Sequence, residues 1–175
     1  MKKILFIALC LNVFSSFAFG QSKKIESVYT SLKADDCKTI KQSDEGAGWY
    51  RGECKGVGGY KLEVIEGDIR QSVNVVSPKG KIFELDFMRV SGGFSSVGLK
   101  AEWRTKAGKP VALIVRFNAS ENPEDSSKIT SYLIVAKISP DVACVTDVVK
   151  PAKTQNAQAQ KLADAAASKA CKIFE

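Results

Sequence analysis

Histidine is absent from all 175 residues. That absence removes Ser-His-Asp and Cys-His catalysis and every histidine metal ligand in one step. The five cysteines contain no Cys-x-x-Cys pair, which argues against a zinc site. The glycine-rich run at 46–59 lacks the Gly-Lys-Ser/Thr of a phosphate loop and lies between strand patterns rather than before a helix. Backbone bends around a disulfide account for it better. No dense basic patch with interleaved aromatics is present, so nucleic acid is not an expected partner. No cofactor motif and no metal-ligand cluster emerges. The carboxylates are scattered, with no pair at a spacing that implies glycosidase work.

One apolar run is present, and it lies at the start. Lys2 and Lys3 precede an apolar stretch from Ile4 to Phe14, and Ala18 and Gly20 supply small residues before Gln21. Positive start, apolar middle and small residues at a cleavage point are the parts of a secretory signal. The run is shorter than the ~20 residues a membrane span needs. Residues 1–20 are therefore expected to be a cleaved signal peptide, with no transmembrane span in the mature chain. Cleavage would leave 155 of 175 residues and, with Lys2 and Lys3 gone, lower the net charge from +7 to +5. That length suits one domain able to bury a core. The modest basic excess favours acidic partners only weakly.

Loss of Cys10 with the signal leaves Cys37, Cys54, Cys144 and Cys171. An even count in an exported chain points to disulfides. Four cysteines allow three pairings, and sequence does not choose among them. The local pairing, Cys37 with Cys54 and Cys144 with Cys171, is the expected one, because neighbours in sequence are often neighbours in space.

Ile25, Val28, Tyr29 and Leu32 fall at helical spacing, which predicts a short N-terminal helix over 22–34. Strand patterns follow at 48–54, 60–65, 69–76, 81–87 and 100–104, divided by Gly, Pro and Asp turns. Segment 91–98 reads as a flexible break. The most apolar strands, 111–117 and 129–136, belong at the centre of the sheet, joined by a polar loop at 118–125. The pattern predicts a mainly β (α+β) fold, an antiparallel sandwich or partly closed barrel. After Val149 the composition changes. Residues 150–153 read as a linker, and 154–170 as a helix with Ala159, Leu162, Ala166 and Ala170 on one small-residue face. A Cys144–Cys171 bridge would pin that helix. The domain order is thus 1–20 signal, 21–149 disulfide-stapled β domain, 150–175 linker and helix.

The candidate binding residues are aromatic and basic. Trp49, Tyr50 and Tyr60, with Arg51 nearby, have the makings of a ligand platform, since sugars are held by aromatic faces and polar edges. Trp49 and Tyr50 are adjacent, so on a strand they point to opposite faces and one is expected to be exposed. Asp68 and Arg70 flank a turn and are expected to pair with each other. Arg116 interrupts an apolar strand on the face of Ala112 and Ile114; it is either a structural ion pair, the favoured expectation, or an anion-binding group. Trp103-Arg104 carries the same ambiguity between core and site.

The stretch 46–54 (Gly-Ala-Gly-Trp-Tyr-Arg-Gly-Glu-Cys), with Gly58-Gly59-Tyr60 and 67–73, resembles a family of uncharacterised exported bacterial proteins. Residues 116–123 and the late Cys144 extend the resemblance over most of the mature chain. It implies an exported single domain and carries no site residue over. The leading functional expectation is a non-enzymatic periplasmic or secreted binding module for an envelope protein or polysaccharide, with oligomeric state left open. An inhibitor of a lytic enzyme is one version, although a net positive charge suits a basic target poorly. The alternatives are a histidine-free carboxylate enzyme acting on glycans, with Glu102, Asp68 and Asp86 as first suspects, and a structural envelope protein.

Overall fold

A computed structural model describes residues 24–174; residues 1–20, expected to be a signal peptide, lie outside the described residues. The two most apolar segments pair with each other as β8 (Lys109–Ser120) and β9 (Ile129–Ile138), antiparallel, with Leu113 opposite Ala136 and Val115 opposite Ile134. Their near-continuous apolar character has a simple cause: both faces are buried. Leu113, Val115, Phe117 and Ala119 of β8 enter the main core. Ala112 and Ile114 point the other way, with Leu133 and Val135 of β9, under α1 (Gln155–Asp164), the one α-helix among the described residues.

Around this pair the chain builds a mainly β structure. Among the described residues ten strands form one sheet that is not closed into a barrel and folds over on itself as a sandwich. One half runs β10 (Ala143–Val149), β9, β8, β7 (Ser95–Lys106), with β1 (Ile25–Ser31) on β7. The other half runs β5 (Arg70–Val76), β4 (Lys61–Gly67), β3 (Trp49–Lys55), β2 (Lys38–Ser43), with the short β6 (Ile82–Glu84) on β5. The halves join at a single parallel contact, Arg70 opposite Ser95. Their inner faces pack Leu62, Val64, Val73 and Val75 against Trp103, Leu113, Val115 and Ile134.

The N-terminal helix expected over 22–34 is a strand instead. β1 pairs antiparallel with β7, from Ile25 opposite Lys106 to Ser31 opposite Lys100. Ile, Val, Tyr and Thr suit a pleated surface better than a helix. The helical spacing also gathers nothing, because Val28 and Tyr29 are exposed while Leu32 is buried. A lone 3₁₀ turn at Ala34–Asp36 follows. The strand pattern at 81–87 stops at Glu84, since Asp86 takes a left-handed backbone (φ 45°) and Phe87–Arg89 form a 3₁₀ turn. That turn carries Phe87 into the core, edge-to-face with Phe117 at 5.4 Å between centroids.

The C-terminal helix is present but shorter than 154–170. It ends at Asp164, and a 3₁₀ turn follows at Ala166–Ser168. Its buried stripe is Gln155, Ala159, Ala163 and then Ala166, while Ala170 is exposed. Both disulfides take the local pairing, Cys37–Cys54 and Cys144–Cys171. The first ties the polar, exposed β2 to the buried end of β3. The second closes the chain beyond α1 onto β10. Among the described residues no helix is long and apolar enough to cross a membrane.

Candidate functional site

Antiparallel pairing sorts the connections into two ends. Loops 44–48, 68–69 and 121–128 gather at one end with the start of β7. Connections 56–60, 77–81, 107–108 and 139–142 gather at the other. At the first end the sandwich halves separate into a cleft of about 470 Å³, within the usual size of small-ligand sites.

The cleft has an apolar floor from Leu32, Val64 and Val97. The register between β7 and β8 breaks between Val97 and Ala101, and Leu99 stays exposed beside the opening. Gly98 sits in that break because a Cβ there would lie 2.8 Å from the Arg116 Cβ. One wall is Tyr50. Its ring lies along β3 over Gly52, where a Cβ would run into the Tyr50 hydroxyl. That hydroxyl is buried and has no hydrogen-bond partner among the described residues. The second wall is polar. Gln71 Nε2 donates to Glu66 Oε2 at 2.5 Å, and Gln71 Oε1 accepts from the Val97 amide at 2.8 Å. Gln71 therefore ties β4, β5 and β7 together at the joint of the two halves. Trp49, partly exposed, stands at the rim with the Lys41 ammonium 5.0 Å from its ring centroid.

Of the six residues proposed from sequence, only Trp49 and Tyr50 line this cleft together. Arg51 is on the opposite face of β3 from Tyr50. It donates to Glu63 Oε1 at 2.6 Å, and this bond holds its guanidinium charged above the ordinary range. Arg70 pairs with Asp68, as expected, donates to the Gly92 carbonyl at 2.9 Å and lies over the Phe94 ring at 5.0 Å. Tyr60 is buried at the far end. Trp103 is 0% exposed, and its indole N–H donates to Thr30 Oγ1 at 2.9 Å. Trp49, Tyr50 and Tyr60 therefore do not share one surface, since Tyr60 lies at the opposite end; Trp103 is core, because β7 runs between β1 and β8 with its inner face covered. Val97 and Leu99 carry no signal in or beside a segment that reads as a flexible break at 91–98, whereas β7 begins at Ser95; Glu66 and Gln71 are ordinary strand residues in the sequence.

Arg116 also departs from expectation. It meets no carboxylate among the described residues. Its guanidinium donates to Ser131 Oγ (2.8 Å), Gln155 Oε1 (3.2 Å) and Asn156 Oδ1 (3.3 Å), all neutral. Arg104, by contrast, is buried and ion-paired. It donates to Asp164 at 2.7 and 3.0 Å and lies 3.3 Å from Glu102. The carboxylates suspected of catalysis do not converge. Glu102 accepts from Ser27 and Gln160, Asp68 pairs with Arg70, Asp86 pairs with Arg89, and none lines the main cleft. Among the described residues no group of three His, Cys, Asp or Glu side chains is placed to hold a metal.

Two tyrosines give the molecule a pH signature. Burial pushes the Tyr60 hydroxyl above its ordinary pKa, and Asp141 adds to the shift. Burial and a hydrogen bond to Glu121 do the same for Tyr132. A raised folded-state pKa favours the neutral phenol in the native chain. The stabilisation is fully present below the unfolded value of about 10 and is lost as pH rises through the higher folded values. Denaturant midpoints measured against pH should fall above about pH 10, and should fall less steeply in Tyr60→Phe.

Compared with known proteins, the chain matches no family model, no curated protein and no solved structure.

Proposed function

We propose that this chain is an exported, non-enzymatic binding module that takes an envelope glycan into the cleft between its sandwich halves. The observation that carries the reading is one juxtaposition: Trp49 and Tyr50 beside the Glu66–Gln71 pair, over an apolar floor. Aromatic faces match the C–H faces of a sugar, and a carboxylate–amide pair matches its hydroxyl edge. Two disulfides favour an oxidising compartment, the periplasm or the outside of the cell. The resemblance to exported bacterial proteins supports the same placement.

Soluble envelope glycan fragments added to the oxidised mature protein should bind, with affinity followed by calorimetry. Gln71→Ala should weaken binding about tenfold by leaving polar groups unpaired, an effect on the order of 1–3 kcal/mol. Unchanged affinity in both Gln71→Ala and Tyr50→Ala would sink the reading, as would no binding across a broad glycan panel.

One observation favours a second reading, a protein inhibitor. The loops around the cleft end carry Asp44, Glu45, Asp68, Glu121, Glu124 and Asp125 against one lysine, Lys128, which pairs with Asp125, while Asp68 pairs with Arg70. The net charge of +7 for the whole chain hides this acidic end, which complements a basic lytic enzyme. Inhibition that weakens when Glu124 and Asp125 are replaced by lysine would support it; salt-insensitive inhibition would oppose it.

A further inference from the structure

The end opposite the cleft has the reverse charge. Its connections are β3–β4 (56–60), β5–β6 (77–81), β7–β8 (107–108) and β9–β10 (139–142). They pack against one another. A Cβ on Gly58 would lie 2.8 Å from Pro110 Cδ, and one on Gly59 would lie 3.3 Å from Pro78 Cγ. Lys81 Nζ donates to the Asp141 carbonyl at 3.1 Å, joining two more turns.

Six lysines surround these turns: Lys55, Lys61, Lys79, Lys81, Lys106 and Lys109. Lys55 is directly opposite Lys61, and Lys106 directly opposite Lys109. Like charges facing across a strand pair destabilise it. Only Lys61 is compensated, by Glu53 at 2.8 Å. Among the described residues Lys55, Lys79, Lys106 and Lys109 form no ion pair with a carboxylate. The one acidic residue within the four connections is Asp141, whose charge acts on Tyr60. The Lys106–Lys109 end is therefore a like-charged pair with no carboxylate to offset it among the described residues.

Between these lysines the surface is apolar. A cavity of about 490 Å³ opens among the turns, lined by Tyr60, Pro78, Pro110, Val111, Ile138 and Pro140, with Lys79 and Lys109 at its edge. Ile82 and Val142 lie beside it, exposed. A soluble polyanion would satisfy the lysines and leave this apolar surface in water. An anionic bilayer satisfies both. Its headgroups take the ammonium groups, and its acyl boundary takes the prolines, Ile82 and Val142, while the lysine stems lie along apolar surface with their charges in the headgroup layer.

We propose that this basic turn end docks the protein on a membrane surface rich in anionic lipid. The acidic loops at the opposite end are repelled by the same surface, so the molecule stands with its cleft facing away from the bilayer. The docking surface is separate from the cleft and does not depend on what the cleft binds.

Flotation of the oxidised mature protein with vesicles tests it. The vesicles are phosphatidylethanolamine alone or mixed with phosphatidylglycerol. Binding should require phosphatidylglycerol and fall as salt is raised. Lys79→Glu with Lys109→Glu should lower it at least about tenfold, since each lysine near such a surface contributes about fivefold. Ile82→Ser, which changes no charge, should also lower it. Glu124→Lys, at the opposite end, should not. Equal flotation with neutral vesicles, or none with either, overturns the proposal. So does binding that Ile82→Ser leaves intact and a soluble acidic polysaccharide abolishes.

Discussion

Trp103→Ala will destabilise the protein by about 3–5 kcal/mol and leave ligand binding by the folded molecules unchanged. Trp103 sits in the middle of β7, opposite Val28 on one side and Leu113 on the other. It is among the largest side chains with no exposed surface. The Tyr60 ring is tilted against it at 6.3 Å. A Cβ on Gly56 would lie 2.9 Å from the indole Cζ2, so the β3–β4 connection closes directly onto the ring. Removing the indole leaves a hole that packed strands on both sides cannot collapse into, and it strips Thr30 Oγ1 of its donor. The expected loss is a large share of the roughly 5–15 kcal/mol that holds a domain folded. Denaturant midpoints check it. A loss below about 1 kcal/mol would mean that the indole is not the core residue described here.

Opening Cys144–Cys171 will have the second largest effect, about 3.5 kcal/mol for a closed segment of 27 residues. The reason is the helix it retains. α1 buries Gln155 and the methyl groups of Ala159 and Ala163, and a stripe of alanine contributes little apolar area. Polar contacts do much of the holding. Arg104 binds Asp164 through two hydrogen bonds, and Gln155 Nε2 donates to the carbonyls of Ser131 and Val149 at 2.7 and 3.1 Å. Lys169 pairs with Asp147 at 2.7 Å. These bonds depend on register, and the disulfide keeps the register when the helix frays. The Cys144→Ala, Cys171→Ala protein should be cut by trypsin after Lys153 and Lys161 under conditions where the parent is not. Equal resistance in the two proteins would show that packing alone retains α1.

The architecture was legible where one physical signal acted alone. Alternation at 70–76 and the apolar runs at 111–117 and 129–136 gave strands because burial on one or both faces leaves that trace. The disulfides take the local pairing expected from proximity in sequence. The reading failed where signals competed. At 25–31, three of the four apolar residues at helical spacing belong to a strand whose backbone pairs with β7, and Leu32 follows it. At 38–43, β2 is polar and exposed, so no alternation marks it. β10 includes Asp147 beside a register shift, which hides its pattern.

The site was legible only in part, for a related reason. Trp49 and Tyr50 announce themselves by residue type. Glu66 and Gln71 are ordinary on a strand, and become a wall only because Arg70 and Ser95 join the two halves of the sheet beside them. The charge pattern was hidden as well. Composition shows a small positive excess, while the alternation of up and down strands places acidic loops at the cleft and lysines at the opposite turns.

The most direct test of the cleft uses the protein's two tryptophans. Each has one indole N–H, giving two separate signals in an amide-correlation NMR spectrum. Trp49 stands at the cleft rim and Trp103 is sealed in the core. Titration with soluble envelope glycan fragments should move the Trp49 signal and the amides of Leu32, Gln71 and Leu99, and leave the Trp103 signal in place. Saturable binding that leaves the Trp49 signal and those amides unmoved would contradict the assignment of the cleft as the ligand site.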